Sequence, residues 1–156
     1  MLKQPGLSQP QHQVPTAARE TGVPAPGDST DQPQAERGRV VLVVDDDPEI
    51  RDLMRWLLED EGWNVETASD GRDAVDRAAR SRPALIVLDM GLPILTGEEV
   101  ALRLHAIYVH PPPIIVVSAD GRAGEKAARL GAAAYLHKPF DVDELALLVR
   151  QTLTNA

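Results

Sequence analysis

Val40-Val41-Leu42-Val43-Val44-Asp45-Asp46-Asp47-Pro48 is the stretch that decides the fold. Five apolar residues in a row, four of them β-branched, suit a strand buried on both faces rather than one with a wet side. The strand runs straight into three acids. Asp47 is placed to cap a helix whose first position takes Pro48, where a missing N–H costs nothing. Ile50, Leu53, Met54, Leu57 and Leu58 then recur at i, i+3, i+4, i+7 and i+8, and Gly62 closes the helix. Buried strand, acidic turn and amphipathic helix make one βα unit, and a chain that repeats the unit builds a parallel sheet.

The unit does repeat. Asn64–Thr67 reads as a short second strand, followed by a helix from Asp70 to Arg80 that buries Ala74, Val75, Ala78 and Ala79. Leu85–Leu88 is a buried strand, Gly97 to His105 a helix, and Ile114–Val117 another buried strand. Arg122 to Leu130 forms a short helix closed by Gly131, and Tyr135-Leu136 a fifth strand. Asp141 with Glu144 three residues on predicts a capping box for the last helix, which buries Leu145, Leu148, Val149 and Leu153. Alternation of this kind predicts an α/β domain, doubly wound, with helices on both faces of a five-stranded parallel sheet. Right-handed crossovers favour the flavodoxin-like order 2-1-3-4-5, with the active crevice at the carboxyl ends of the strands by the first and third.

Composition narrows the chemistry. The 156 residues suggest one domain, 43 % of them hydrophobic but only 3 % aromatic, so the core is aliphatic. The absence of cysteine excludes disulfides, thiolate metal sites and Cys nucleophiles. No apolar run approaches the ~20 residues of a membrane span, and no signal-type apolar stretch follows Met1; a cytoplasmic location is the expectation. A net charge of −8 argues against direct nucleic-acid binding and against an anionic membrane surface. Residues 1–38 hold three Lys/Arg against four Asp/Glu, leaving −7 of that charge to residues 39–156. The same 38 residues carry six Pro and six Gln with isolated apolar residues in no period, which predicts a disordered tail, either a passive extension or a tether.

Each informative residue follows a strand. The first ends in Asp45-Asp46-Asp47, the third in Asp89 and the fourth in Ser118, while the fifth leads through His137 to Lys138-Pro139. Two carboxylates ~4 Å apart repel by about 4 kcal/mol at an effective dielectric near 20, so converging acids need a cation. All-oxygen ligands favour a hard ion, and Mg²⁺ keeps waters while using few carboxylates. Lys138 supplies a point charge and Ser118 a hydroxyl donor across the crevice; positioning and charge neutralisation are most of what phosphoryl transfer requires. Asp89, alone at its strand end, is the expected nucleophile.

Val43-Val44-Asp45-Asp46-Asp47-Pro48-Glu49-Ile50-Arg51, Leu88-Asp89-Met90-Gly91-Leu92-Pro93, Val117-Ser118-Ala119 and Tyr135-Leu136-His137-Lys138-Pro139-Phe140 together resemble the response-regulator receiver family of two-component signalling. The resemblance runs from Arg39 to the C-terminus and keeps all its signatures in order. It implies that Asp45 and Asp46 hold Mg²⁺, that Asp89 ligates it and is phosphorylated by a histidine kinase or histidine phosphotransfer protein, and that the Gly91 carbonyl completes the protein ligands. It implies further that Lys138, before a cis peptide to Pro139, pairs with the phosphoryl group, that Ser118 bonds a phosphoryl oxygen, and that Tyr135 turns inward as Ser118 moves. The receiver then signals by presenting a changed face of its fourth helix, fifth strand and fifth helix to a protein target.

Plainer readings stand beside these. Asp47 serves as an N-cap, Tyr135 as core packing, and His137 as a solvated neighbour of Lys138. Gly91 lacks the side chain usual in the family, and Asp120 adds an acid by the crevice mouth, so both are expected to set the phosphoryl lifetime. The Ser118–Lys138 stretch is shorter than usual and clips the fourth helix. No effector is expected after the last helix, which leaves docking or phosphate relay as the output. The competing classes are a phosphorylation-independent interaction module and a Mg²⁺-dependent phosphohydrolase. The first has no need for so costly an acid cluster, and the second lacks an acid closely after Asp89.

Overall fold

The computed structural model describes residues 39–155. Ten elements alternate along them: β1 (Val40–Val44), α1 (Pro48–Asp60), β2 (Asn64–Ala68), α2 (Gly71–Ser81), β3 (Leu85–Asp89), α3 (Gly97–Ile107), β4 (Ile114–Ser118), α4 (Ala123–Leu130), β5 (Ala134–His137) and α5 (Val142–Thr154). The sheet is parallel in the order β2-β1-β3-β4-β5, as the sequence predicts. Val44 pairs with Leu88, Asp89 with Val117 and Ser118 with His137, so the acids, the serine and the β5 exit all reach one edge of the sheet.

The period of two along each central strand divides the core. Leu42, Val44, Ile86, Leu88 and Val116 meet Ala74 and Ala78 of α2, Val100 and Leu104 of α3, and Ala127 of α4. Val41, Val43, Leu85, Val87, Ile115 and Val117 meet Met54 and Leu58 of α1 and Leu145, Val149 and Leu153 of α5. A strand whose neighbours on both faces are helices must be apolar at every position, and this is why the strands read as unbroken runs.

The helix starts show where local signals were and were not sufficient. The Asp47 carboxylate accepts from the Glu49 N–H at 2.9 Å, so the cap reading of Asp47 holds. The predicted capping box at Asp141 is not formed: its side chain accepts from the Asp143 N–H, one position early, leaving Glu144 outside the exchange. A reciprocal box exists instead at α3, where Thr96 accepts from the Glu99 N–H and the Glu99 carboxylate from the Thr96 N–H. Ala79 and Leu53, both expected in the core, are exposed; the helices turn Ala74 with Ala78, and Met54 with Leu58, to the sheet instead. Trp63, which no periodicity marks, is buried because its N–H closes onto the Leu58 carbonyl and folds the end of α1 over the core. The tail expected to be disordered lies outside the described residues.

α2 and the loop before α3 approach so closely that only glycine fits between them. A Cβ on Gly71 would lie 2.6 Å from both the Cβ and the carbonyl oxygen of Leu95. Because one of those atoms is backbone, Gly71→Ala is expected to lower the unfolding free energy by about 1–3 kcal/mol, the range for overpacking a tight contact. Urea unfolding checks this, and an unchanged midpoint would show that the loop yields freely.

Candidate functional site

Asp45, just past the end of β1, is buried completely, and its N–H is tied to the Ala68 carbonyl of β2. Its Oδ1 accepts from the Asp47 N–H at 2.9 Å, and its carbonyl oxygen accepts from the Arg51 guanidinium at 2.9 Å. Asp46 beside it is exposed. Asp89, the last residue of β3, is 5 % exposed, and its Oδ1 accepts from the Gly91 N–H at 3.2 Å. One carboxylate oxygen from each of Asp45, Asp46 and Asp89 can be chosen so that the three lie within 4.8 Å of one another.

Among the described residues, Lys138 is the cation that pairs with these carboxylates. The Lys138 Nζ lies 2.7 Å from Asp45 Oδ2 and 3.3 Å from Asp89 Oδ2, while its backbone N–H is held by the Ser118 carbonyl. The peptide from Lys138 to Pro139 is cis, as the resemblance implies. Burial pushes the Asp89 carboxyl above the ordinary carboxylate range; the Gly91 N–H opposes this, the charge of Asp45 adds to it, and Lys138 does not cancel it. Burial alone would pull the Lys138 ammonium down, but bonding to Asp45 and the charges of both acids carry it above its ordinary value. The result is an ammonium that stays charged, opposite more negative charge than it can neutralise.

That surplus, together with an all-oxygen donor set open on the Asp46 side, fits a hard divalent cation that retains waters. Gly91 is exposed at the rim. A Cβ there would meet nothing nearer than Asp89 Oδ1, at 3.8 Å, so a side chain has room. Gly97 below is the opposite case: a Cβ would sit 2.6 Å from the Met90 Sδ and 3.0 Å from the Asp89 carbonyl, so glycine lets α3 begin directly against the Asp89 backbone.

Ser118 ends β4 almost fully buried, and its hydroxyl donates to Asp120 Oδ1 at 2.8 Å. The same oxygen accepts from the Arg122 N–H at 2.9 Å, and Asp120 Oδ2 takes the Lys126 Nζ at 2.5 Å. Lys126 first, then the Arg122 N–H and Ser118, hold the Asp120 carboxyl well below the usual carboxylate range. Sequence reasoning placed Asp120 by the crevice but missed Lys126, whose role shows only once the start of α4 is fixed at Ala123. Tyr135 is 48 % exposed, so it is not core packing; its ring meets His137 edge-on at 5.7 Å and lies over Gly124. His137 is exposed, as expected.

Residues 41–150 match the model of the response regulator receiver domain. The chain belongs to that family. As a receiver it is similar to the probable transcriptional regulatory protein TcrX of Mycobacterium tuberculosis, 38 % identical over an alignment of 117 residues, with 72 % of this chain and 49 % of that protein covered. It is also similar to the response regulator MprA of Mycolicibacterium vanbaalenii, 42 % identical over an alignment of 115 residues, with 72 % of this chain and 49 % of that protein covered. The chain thus spans about half the length of the curated relatives it matches. Among solved structures, the receiver domain of a putative LuxO repressor protein from Vibrio parahaemolyticus superposes with a TM-score of 0.67 at 30 % identity, covering 75 % of this chain and 91 % of that one. The chemotaxis response regulator CheY4 of Vibrio cholerae gives 0.65 at 32 % identity, over 73 % of this chain and 98 % of that one. Among the described residues of this receiver, no helix is long and apolar enough to cross a membrane.

Proposed function

We propose that this receiver is a Mg²⁺-dependent phosphoacceptor switch, phosphorylated on Asp89 by a histidine kinase or histidine phosphotransfer protein. The observation that carries the reading is the meeting of Asp45, Asp46 and Asp89 within 4.8 Å, with the Lys138 ammonium between Asp45 and Asp89. Mg²⁺, held by Asp45, Asp46, Asp89 and the Gly91 carbonyl, would supply positive charge against the phosphoryl oxygens. The Asp89 carboxylate attacks phosphorus, an O–P bond forms as the donor P–N bond breaks, and the departing imidazole takes a proton from solvent. Lys138, charged throughout, pairs with the phosphoryl group, and Ser118 donates to one of its oxygens.

The activity is confined to the chain's own phosphorylation and dephosphorylation, and the output is docking of another protein in a cytoplasmic signalling or relay step. Residues 39–156 act as the receiver unit. The acidic charge opposes direct nucleic-acid contact by these residues. A role in transcription, like that named for the mycobacterial relative, would be carried by residues other than these. Incubation of the full chain with Mg²⁺ and a small phosphodonor, read by intact-mass spectrometry, tests the proposal: one metal-dependent phosphoryl adduct supports it. If neither an adduct nor a Mg²⁺-dependent response to beryllofluoride forms, a phosphorylation-independent module is the better account.

Lifetime of the acyl phosphate follows from the open rim. Gly91→Asn places a side chain 3.8 Å from the Asp89 carboxyl at its first carbon, across the approach of water. The dephosphorylation rate is expected to fall about tenfold, ~1.4 kcal/mol in barrier. Asp120→Ala is expected to change the same rate, since it frees the Ser118 hydroxyl. Unaltered decay in both variants would remove Gly91 and Asp120 from the control of lifetime.

A further inference from the structure

We propose that the first turn of α4 holds the resting state at two points: Asp120, clamped by Lys126, retains the Ser118 hydroxyl, and Gly124 seats the ring of Tyr135. This rests on the reading of Ser118 as the donor to the phosphoryl group. A serine hydroxyl has one proton to donate. In this structure it goes to Asp120 Oδ1 at 2.8 Å, so Ser118 must give up that bond before it can serve a phosphoryl oxygen. Asp120 is in turn fixed from α4, by the Arg122 N–H at 2.9 Å and the Lys126 ammonium at 2.5 Å. Arg122 provides no side-chain cap for α4, and its own N–H is the group that Asp120 Oδ1 binds just before the helix.

The second point lies in the same turn. A Cβ on Gly124 would stand 3.3 Å from Tyr135 Cζ and 3.5 and 3.6 Å from Cε1 and Cε2, so the ring rests directly on the glycine backbone. A Cβ here would press the ring away from the backbone by a few tenths of an ångström. Because both grips belong to Arg122–Lys126, Ser118 and Tyr135 are released by one displacement of α4 rather than independently. Asp120, Lys126 and Gly124 are therefore positioning residues that set how readily the switch turns on, without touching the phosphoryl group.

Full-chain NMR of the Tyr135 ring, with a beryllofluoride titration in Mg²⁺, tests this. Lys126→Met removes the ammonium that holds Asp120 Oδ2, and Gly124→Ala pushes the Tyr135 ring off its closest contact. Each is expected to tighten the apparent beryllofluoride affinity about three- to tenfold, and to move the ligand-free Tyr135 signals toward their bound positions. Arg129→Met removes a charge from the same helix whose partner is Glu98, 3.5 Å away on α3, and is expected to do neither. Generalised loosening of the fold would weaken binding, so weaker or unchanged affinity in Lys126→Met and Gly124→Ala overturns the proposal. Should the wild-type chain take no beryllofluoride at all, the phosphoryl reading fails. The ligand-free Tyr135 shift then decides the latch by itself: its presence in both variants sustains it, and its absence ends it.

Discussion

Asp89→Asn will accept no phosphoryl group under conditions where the wild-type chain gains one, and without metal it will be the more stable protein. The first result follows from chemistry, since an amide oxygen cannot displace a phosphoryl leaving group to leave a stable acyl phosphate. The second follows from electrostatics. Burial and the charge of Asp45 raise the Asp89 carboxyl above its ordinary pKa, so its ionised form is disfavoured in the folded chain relative to the unfolded one. At pH 7, in chelator, removing that charge is expected to add about 1 kcal/mol of stability, because Lys138 keeps Asp45 at 2.7 Å as its remaining partner. The sign with pH is fixed: an acid raised in the folded state destabilises while ionised, and the penalty is relieved as pH falls through the folded pKa. Urea unfolding at about pH 7 and about pH 4 should therefore show a gap between variant and wild type that closes at the lower pH. An adduct persisting in the variant would assign phosphorylation to another residue. A variant less stable than wild type at pH 7 would show that Lys138 already compensates both acids.

The fold was legible because its signals are strong where burial is complete. Val40–Val44, Leu85–Leu88 and Ile114–Val117 are unbroken apolar runs, and each delivers a polar residue to the same sheet edge. The site was legible for the same reason: fixed strand ends turn residues far apart in sequence into neighbours, as Asp45 and Lys138 are at 2.7 Å. Signals failed where the outcome depends on an element's exact turn rather than its existence. Leu53 fits the α1 stripe by spacing, yet Met54 and Leu58 take the core and leave it 43 % exposed. Asp141 has the spacing of a capping box and bonds one residue early, while Thr96 makes the box. Lys126 reaches Asp120 across a loop-to-helix junction that has no periodicity to read. Tyr135 is equally apolar or switch-like in sequence, and only its exposure in the structure sets the core-packing reading aside.

Lys138→Met is expected to have the largest effect on stability, about 3–5 kcal/mol lost in chelator at neutral pH, the range for removing one partner of a buried ion pair. The exposed ion pairs elsewhere among the described residues predict nothing of this size. Arg55–Asp52 and Arg150–Glu61 have side chains 47 and 63 %, and 53 and 31 %, exposed, and pairs of that kind are worth about 0–1 kcal/mol. Lys138 is different because its side chain is 15 % exposed and its partners Asp45 and Asp89 are 0 % and 7 %. Methionine keeps the length of the chain, so the loss reports the charge rather than a cavity. It leaves two buried carboxylates facing each other with no cation between them. Mg²⁺ should then stabilise the variant more than the wild type, because the ammonium no longer neutralises the same oxygens. Urea unfolding followed by the buried Trp63, with chelator and with saturating Mg²⁺, separates the two contributions. A drop below about 1 kcal/mol without metal would mean that the acids stay solvated despite their burial. A drop that Mg²⁺ does not narrow would mean that the cation binds elsewhere than between Asp45, Asp46 and Asp89.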